Sequence, residues 1–190
     1  VEMQKLKQGD LDRKDWDRIT MALDELNSTK IVIDDTPGIS IMEMRNKCRR
    51  LKAEHGLDLV VIDYLQLMQG DGRSDNRQQE ISAISRNLKL LAREMDCPVI
   101  VLSQLSRAPE QRQDHRPILS DLRESGSIEQ DADMVMFLYR EEYYEDDTEE
   151  RGQAECILAK NRHGATDTVK MIFDGAHSQF VSRENYRDAP

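Results

Sequence analysis

The stretch DLVVIDYLQLM, residues 58 to 68, decides the fold of this chain. Four apolar residues lead up to Asp63, and a second apolar run begins directly after Tyr64. A strand that is apolar on both faces is typical of a parallel sheet covered by helices. The carboxylate at its end fits two interpretations. Asp63 either caps the next turn or stands at the carboxyl edge of a parallel sheet and holds a metal ion.

The segments around this strand predict an α/β fold. Downstream, apolar residues spaced alternately three and four apart predict a long helix, and CPVIVLSQL at 97 to 105 predicts another buried strand. Upstream, SIME at 40 to 43 is a capping box that opens a helix ending near HG at 55 to 56. The apolar positions of the two helices are Ile41, Met44, Cys48, Leu51, Ile81, Ile84, Leu88, Leu91 and Met95.

Both ends of the chain add further elements to this prediction. Asp12 is a predicted N-cap for a helix with Trp16 and Leu23 on its apolar side, and KIVIDD at 30 to 35 is a predicted strand. In the second half, four short apolar runs follow one another with turns between them and no helix, which predicts antiparallel hairpins. The predicted fold is a mostly parallel sheet with helices on both faces that finishes in antiparallel hairpins.

Length and composition predict one soluble domain. The 190 residues, 38% of them hydrophobic, suffice for one core, with residues 183 to 190 expected to be a tail. The chain has no apolar run of membrane-spanning length and no signal-peptide core, so we expect a cytoplasmic protein without membrane contact. Its three cysteines, Cys48, Cys97 and Cys156, are far apart and predict neither a disulfide framework nor a zinc site.

The net charge of −10 is concentrated in one short run. EEYYEDDTEE at 141 to 150 contains seven acidic residues and no basic one, so the remainder carries 30 acidic against 27 basic residues. This run is predicted to be a solvated hairpin tip. The near-neutral remainder leaves room for local phosphate binding, for example through the arginine-rich stretches 72 to 77 and 107 to 116.

The strand ends carry residues that suit a magnesium nucleotide. Asp35, Asp63 and the pair Ser103 and Gln104 each follow a predicted strand. A carboxylate can orient Mg²⁺ or its water, and an amide on the next strand can sense a γ-phosphate. Although D-T-P-G from Asp35 resembles a GTPase element, no base-reading N-K-x-D accompanies it. No glycine of the chain is followed by lysine, so the phosphate-cradling G-x-x-x-x-G-K-[ST] is also missing.

Four blocks carry a resemblance to a known family. LVVIDYLQLMQG, RQQEISAISRNLKLLARE, PVIVLSQLSR and above all RPILSDLRESGSIEQDADMVMFLYR closely resemble the C-terminal motor domain of bacterial replicative DNA helicases of the DnaB family, from about residue 4 to residue 182. The resemblance implies a RecA-like fold, a homohexameric ring, ATP and Mg²⁺ as cofactors, and 5′ to 3′ translocation along single-stranded DNA with unwinding. It also implies a primase and a helicase loader as partners.

The resemblance also implies roles for individual residues at the nucleotide. Asp63 resembles the Walker B carboxylate that orders Mg²⁺, and Gln104 resembles the residue that couples the γ-phosphate to the DNA-facing loops. Lys160 and Arg162, in AKNRHG, resemble the basic finger that reaches the γ-phosphate of the adjacent subunit. A cation supplied in trans raises the rate of phosphoryl transfer by a factor on the order of 10³ to 10⁵. Without the resemblance, this pair reads as the basic end of a surface strand.

The same resemblance implies two loops that face the DNA. Arg123, Glu124, Ser125 and Gly126 match the loop that lines the central channel, where a backbone amide near Gly126 can approach a phosphate because no side chain intervenes. Such contacts would give grip without reading sequence. Arg73 and Arg77 match the family's other channel loop. As a structural alternative, RESGS ends one helix and caps the next.

The chain departs from the family where the phosphates should be held. In the family, the first strand with its Walker A loop and the strand with the catalytic glutamate precede the segment that matches Val1. We therefore expect a partial motor domain that alone neither binds ATP normally nor hydrolyses it. The alternatives are another RecA-type ATPase, such as a recombinase, and a non-catalytic ring-interaction module without a P-loop.

Overall fold

The computed structural model describes residues 1–70, 76–122, 126–145 and 147–183. The helices are α1 Met3–Gln8, α2 Arg13–Asn27, α3 Ile41–His55, α4 Arg77–Met95, α5 Ala108–Gln111 and α6 Gly126–Asp131. The strands are β1 Val60–Ile62, β2 Val99–Val101, β3 Met134–Tyr139, β4 Gln153–Asn161, β5 Asp167–Asp174 and β6 Gln179–Ser182. Helices and strands alternate through the first half, and strands follow one another in the second, which confirms the predicted class.

The strands form two sheets. β1 and β2 pair in parallel, with Val60 opposite Val99 and Ile62 opposite Val101. The other sheet has the order β3-β4-β5-β6, and β5 and β6 pair antiparallel. A parallel pair needs a long crossover, which α4 supplies, whereas antiparallel neighbours need only a turn.

Helix α2 begins, and helix α3 begins and ends, where the capping residues predict. Ser40 Oγ accepts the backbone N–H of Glu43 at 3.2 Å at the start of α3. That helix ends at Gly56, whose φ of 81° lies in the left-handed region that glycine adopts at no steric cost. Asp12 and Asp15 form a full capping box on α2. Local sequence therefore determines these boundaries.

The chain divides into two compact units, one formed by residues 36–137 and 157–167 and the other by residues 1–35, 138–156 and 168 onward. The first unit contains a buried core. Its apolar cluster is Ile41, Met44, Cys48, Ile62, Leu65, Met68, Ile81, Ile84, Leu88, Leu91, Met95 and Cys97. The stripes predicted for α3 and α4 thus pack against β1 and β2, and burial raises the pKa of the Cys97 thiol.

The second unit contains α1, α2, β6 and most of β5. The Met3 backbone N–H donates to the Ala176 carbonyl at 2.8 Å, which ties the start of the chain to the β5–β6 turn. The Arg140 guanidinium lies 3.8 Å from the centre of the Phe173 ring, and Phe173 packs on Phe180 with ring centres 5.0 Å apart. These contacts tie distant segments of the chain together within the unit.

The strand predicted at 30–35 is wrong. The structure gives these residues no strand, and the apolar side chains of Ile31, Val32 and Ile33 are 65%, 62% and 87% exposed. A strand needs a neighbour to pair its backbone groups, and none of the described strands pairs here. The turn predicted to follow is present at Pro37 and Gly38. A composition rich in β-branched residues was therefore not sufficient to predict a strand.

The remaining sequence predictions concern membrane-spanning segments, the acidic run and the cysteines. Among the described residues, no helix is long and apolar enough to cross a membrane. The acidic run connects β3 to β4, as predicted for a hairpin tip. All three cysteines are free, and Cys48 and Cys97 are buried.

Candidate functional site

The carboxyl ends of β1 and β2 bring two predicted site residues to one edge of the parallel sheet. Asp63 follows β1 directly, and the Asp63–Tyr64 peptide bond is cis. The Leu102 backbone N–H donates to the Ile62 carbonyl at 2.9 Å, which continues the pairing just beyond β2. Gln104 follows two residues later, and its side chain and that of Asp63 are exposed. The two positions therefore lie at the sheet edge where open α/β proteins bind ligands.

Gln66 links these two strand ends. Its Nε2 donates to Ser103 Oγ at 3.1 Å and to the Gln104 carbonyl at 3.3 Å. Its Oε1 accepts the Gln104 backbone N–H at 3.2 Å. One amide side chain thus satisfies both a donor and an acceptor of the neighbouring loop. This fixes the backbone of Gln104 relative to the segment that carries Asp63.

The edge fits magnesium delivered with phosphates better than a metal centre made by protein alone. Among the described residues, no group of three or more histidine, cysteine, aspartate or glutamate side chains converges as a metal site. Mg²⁺ usually keeps several waters and uses one or two carboxylates together with substrate phosphates. The exposed carboxylate of Asp63 suits that arrangement.

Arg77, predicted to face DNA, is the first residue of α4 and contacts the same loop. Its Nη2 donates to the Gln66 carbonyl at 2.7 Å, and its Nη1 pairs with Glu80. Glu80 also accepts the Gly70 backbone N–H at 2.6 Å. The hydrogen bond from Arg77, followed by that from Gly70, lowers the pKa of the Glu80 carboxyl. Arg77 therefore stabilises the loop after β1 in this structure.

Gly126 begins α6, and a Cβ added there would meet no atom within 4 Å. Packing among the described residues therefore does not require a glycine at this position, and open space lies beside its backbone. The other residues predicted to contact DNA are Arg73, Arg123, Glu124 and Ser125, which lie outside the described residues.

Lys160 and Arg162 lie at the end of β4 and contact α6. Lys160 Nζ donates to the Glu129 carbonyl, and Arg162 Nη2 donates to the Gln130 carbonyl at 3.2 Å. Carbonyls at a helix C-terminus carry partial negative charge, which favours cations there. These hydrogen bonds are made at α6, and none of them joins the two cations to Asp63 or Gln104.

Asp133 pairs with two cations just before β3. Arg162 Nη1 lies 2.8 Å from Asp133 Oδ1, and Lys89 of α4 donates to Oδ2. The hydrogen bond from Lys89 makes the largest contribution to lowering the pKa of the Asp133 carboxyl, and the charge of Arg162 adds to it, against an opposing effect of desolvation. The carboxylate therefore stays ionised between them.

An ion pair with a buried carboxylate organises the loop after β2. Asp121 is 1% exposed, and its carboxylate accepts two hydrogen bonds from Arg112 and the Ile118 backbone N–H at 2.7 Å. Its carbonyl accepts the Ser106 N–H at 2.8 Å. The Arg112 hydrogen bond lowers the pKa of the Asp121 carboxyl. The pair holds the chain in place immediately before residues 123–125.

Sequence reasoning missed Gln66, Asp133 and Asp121. Each had a weak signal, since Gln66 and Asp121 interrupt apolar runs and Asp133 directly precedes a strand. Their partners lie 38, 29 and 9 residues away along the chain, so no local pattern identifies them.

The parallel strands, the helices that cover them and the polar residues at the strand ends define this unit as an α/β domain with its candidate site beyond the carboxyl ends of the strands. Comparison with known proteins makes the class specific. The profile of the DnaB-like helicase C terminal domain matches residues 1–182, and the chain belongs to this family. That match separates the chain from the recombinases.

Relatives and solved structures agree with this assignment. The chain is 56% identical to the replicative DNA helicase DnaC of Bacillus subtilis (strain 168) and to the replicative DNA helicase DnaB of Geobacillus stearothermophilus, over 99% of its own length and 42% of each relative. It is 45% identical, with a TM-score of 0.90, to a DnaB-like replicative helicase studied with primase and to a second solved structure, of an ATPase domain. These matches cover 96% of this chain and 44% and 66% of the two structures. The chain thus spans about two fifths of the relatives it matches.

Proposed function

We propose that this chain is part of the motor of a replicative DNA helicase. In that motor, ATP hydrolysis in a hexameric ring drives 5′ to 3′ translocation along single-stranded DNA and unwinding of the duplex. The observation that carries the proposal is that the side chain of Gln66, three residues after Asp63, bonds Ser103 and the backbone of Gln104 and so links the two strand ends. Membership of the DnaB-like family supports it.

In this proposal, Asp63 binds the magnesium of MgATP, directly or through a bound water. Mg²⁺ supplies charge stabilisation to the phosphates during phosphoryl transfer. Gln104 directs its exposed amide toward the γ-phosphate, and Gln66 keeps its backbone in register with Asp63. The proposal also requires a phosphate-binding loop from outside this sequence, since no glycine here is followed by lysine. Because β2 pairs only with β1 among the described strands, its other edge can accept a further strand.

Lys160 and Arg162 act on the nucleotide of the adjacent subunit in this proposal. Two observations support a role in trans. Their hydrogen bonds lie at the end of α6 and not at Asp63, and the Arg162 side chain is 42% exposed. The guanidinium is always charged and offers several N–H donors to phosphate oxygens. A ring of six copies would place this edge beside the next subunit's site.

Single-stranded DNA is the proposed track. The open space beside Gly126 supports a backbone contact to phosphate there. Arg73, Arg123, Glu124 and Ser125 remain proposed DNA contacts, as does Arg77, which would have to exchange its present partners for phosphate. A primase is a proposed partner, because a DnaB-like relative interacts with one. A loader is proposed from the family resemblance alone.

The test compares two proteins for magnesium-dependent binding and hydrolysis of a fluorescent ATP analogue. One is the 190-residue chain, and the other is a chimera in which the chain replaces the matching segment of the Bacillus subtilis relative. We expect only the chimera to bind tightly and to hydrolyse ATP faster with single-stranded DNA. Equally tight binding by the short chain would reveal another phosphate cradle and overturn the site.

Asp63→Asn in the chimera tests the metal ligand. We expect hydrolysis to fall by about a hundredfold or more, because a metal supplies several kcal/mol of charge stabilisation. Asp58→Asn is the matched control, since Asp58 is exposed and precedes the same strand at its opposite end. Equal losses in the two variants would refute the role of Asp63.

A further inference from the structure

Asp133 holds Arg162 by both its backbone and its side chain. The Arg162 backbone N–H donates to the Asp133 carbonyl at 2.8 Å, and Nη1 of the same residue lies 2.8 Å from Asp133 Oδ1. The first contact fixes where the arginine leaves the end of β4. The second fixes the direction of its side chain. Asp133 therefore contributes to both the position and the direction of Arg162.

The segment that presents Asp133 is itself held against α4. Ser127 Oγ donates to Ser82 Oγ at 3.0 Å, and Ser85 Oγ donates to Asp131 Oδ2 at 2.9 Å. Lys89 then donates to Asp133. The three α4 residues, at spacings of three and four, lie along one face of the helix. The segment that carries Asp133 is thus packed against α4 at three points.

The contacts with Asp133 and Gln130 leave donors of Arg162 available. A guanidinium carries five N–H groups, and the structure engages Nη1 with Asp133 and Nη2 with the Gln130 carbonyl. The side chain remains 42% exposed. Because these contacts already fix its rotamer, the arginine can bind a phosphate without a further loss of side-chain entropy. This is the benefit of preorganisation.

We infer that Asp133 is the positioning residue of the basic finger: its carboxylate aims the Arg162 guanidinium at the phosphate of the adjacent subunit. The inference rests on the proposed function, in which Arg162 acts in trans. Arg162 touches the substrate, and Asp133 acts through it. Because α6 begins at Gly126 and ends beside both cations, the same short element also connects the proposed DNA contact to the finger.

Kinetics of the chimera distinguish positioning from a general structural role. We expect Asp133→Ala to lower kcat for ATP by about tenfold or more while KM changes little, because misdirecting a group needed in the transition state slows the chemical step. Asp133→Asn, which keeps an acceptor for Arg162, should restore part of the rate. A partly exposed ion pair adds little to stability, so the fold should survive.

Asp58→Ala is the matched control. Asp58 lies in the same unit, is exposed and precedes β1, and in the described hydrogen bonds it contacts neither Lys89 nor Arg162. We expect its kcat to stay within about twofold of the parent, as for substitutions away from the transition state. An unchanged or raised kcat in Asp133→Ala, or equal losses in both variants, would overturn the inference.

Rings assembled from parent and variant subunits show whether the loss of Asp133 affects the subunit that carries it or its neighbour. Subunits with Asp63→Asn lose their own site and keep their finger, so parent subunits beside them should retain activity. Subunits with Asp63→Asn and Asp133→Ala together should depress the activity of parent neighbours much further. Equal activity of the two mixtures would contradict positioning in trans.

A measurement on the 190-residue chain separates failure of this inference from failure of the proposed function. Nuclear magnetic resonance of the Arg162 guanidinium should show faster hydrogen exchange in Asp133→Ala than in the parent. The Arg162 backbone amide should remain protected, because its acceptor carbonyl is retained. An unchanged guanidinium would overturn the inference even if the chimera hydrolyses ATP, and a changed one would support it even if the chimera does not.

Discussion

Helices α4 and α2 have similar sequence patterns and different surroundings. The five apolar positions predicted as the buried stripe of α4 are at most 4% exposed, and they face β1, β2 and α3. In α2, Trp16, Leu23 and Leu26 recur at the same spacing, and their exposed fractions are 57%, 53% and 54%. Both helices begin at a side-chain cap. Periodicity predicted the helices correctly, but only the contacts within each unit determine whether an apolar stripe is buried.

This contrast separates local from tertiary stabilisation. Caps and spacing fix the ends and faces of a helix because their hydrogen bonds are made within a few residues. Burial requires a partner that is distant in sequence, and it supplies most of the free energy that keeps a helix folded. Substitutions in the two helices should therefore differ strongly in their effects on unfolding.

The largest effect is expected at the centre of the α4 stripe. Ile81 is 0% exposed, and Ile81→Ala should lower the free energy of unfolding of its unit by about 2 to 5 kcal/mol through lost burial and a new cavity. Native-state hydrogen exchange of the α4 amides measures this free energy. Ile81→Val, which removes one methyl group, should cost about 0.5 to 1.5 kcal/mol. Equal losses in the two variants would show that volume is not the cause.

The next effect is a dependence of the same unit on pH. The pKa of Asp121 is lowered from 3.8 in the folded state, so its contribution to stability is present above that value and is lost as pH falls toward the folded pKa. We expect unfolding free energy to decline below about pH 5. In Asp121→Asn the decline should be smaller and the stability at pH 7 lower. The exposed Asp147→Asn carries the same change of charge and should leave the pH profile intact.

A smaller effect is expected at the start of α3. Removing the Ser40 hydroxyl, which accepts the Glu43 N–H, should cost about 1 kcal/mol of unfolding free energy. Ser40→Asp retains an acceptor at the N-cap and should restore that loss. If Ser40→Asp were as unstable as Ser40→Ala in hydrogen exchange of α3, the cap would not be the source of the effect.

The smallest effect is expected on the exposed stripe of α2. Leu23→Ala replaces one strong helix former by another at an exposed position. The free energy of unfolding should therefore change by no more than about 0.5 kcal/mol. Hydrogen exchange of the α2 amides measures it. A loss as large as that of Ile81→Ala would show that α2 buries this stripe in solution and would remove the contrast between the helices.

The same distinction explains which strands were predicted. The segment before Asp63 and the segment at 30–35 are both rich in valine and isoleucine, yet only the first pairs with another strand. Backbone groups of a strand are satisfied by a neighbour, so composition indicates what a segment can form and not whether its neighbour is present.

The candidate site was predictable in part. The order of strands and helices places Asp63 and Gln104 at one edge, because parallel strands end on the same side of a sheet. The partners of Arg162 were not predictable, since Asp133 and Gln130 reach it only through the pairing of β4 and the packing of α6. Amide and carboxylate side chains occur throughout the sequence, and only the folded chain determines which ones meet.

The sequence by itself determined the start of α2, both ends of α3, the apolar faces of α3 and α4, the alternation that produces the parallel pair, and the polar residues that follow its strands. These features follow from local hydrogen bonds and from the periods of helix and strand. Only the tertiary structure decided that Gln66 joins the two strand ends, that Asp133 holds Arg162, and that residues 30–35 form no strand. Those outcomes depend on contacts between residues far apart in the chain, which no local pattern encodes.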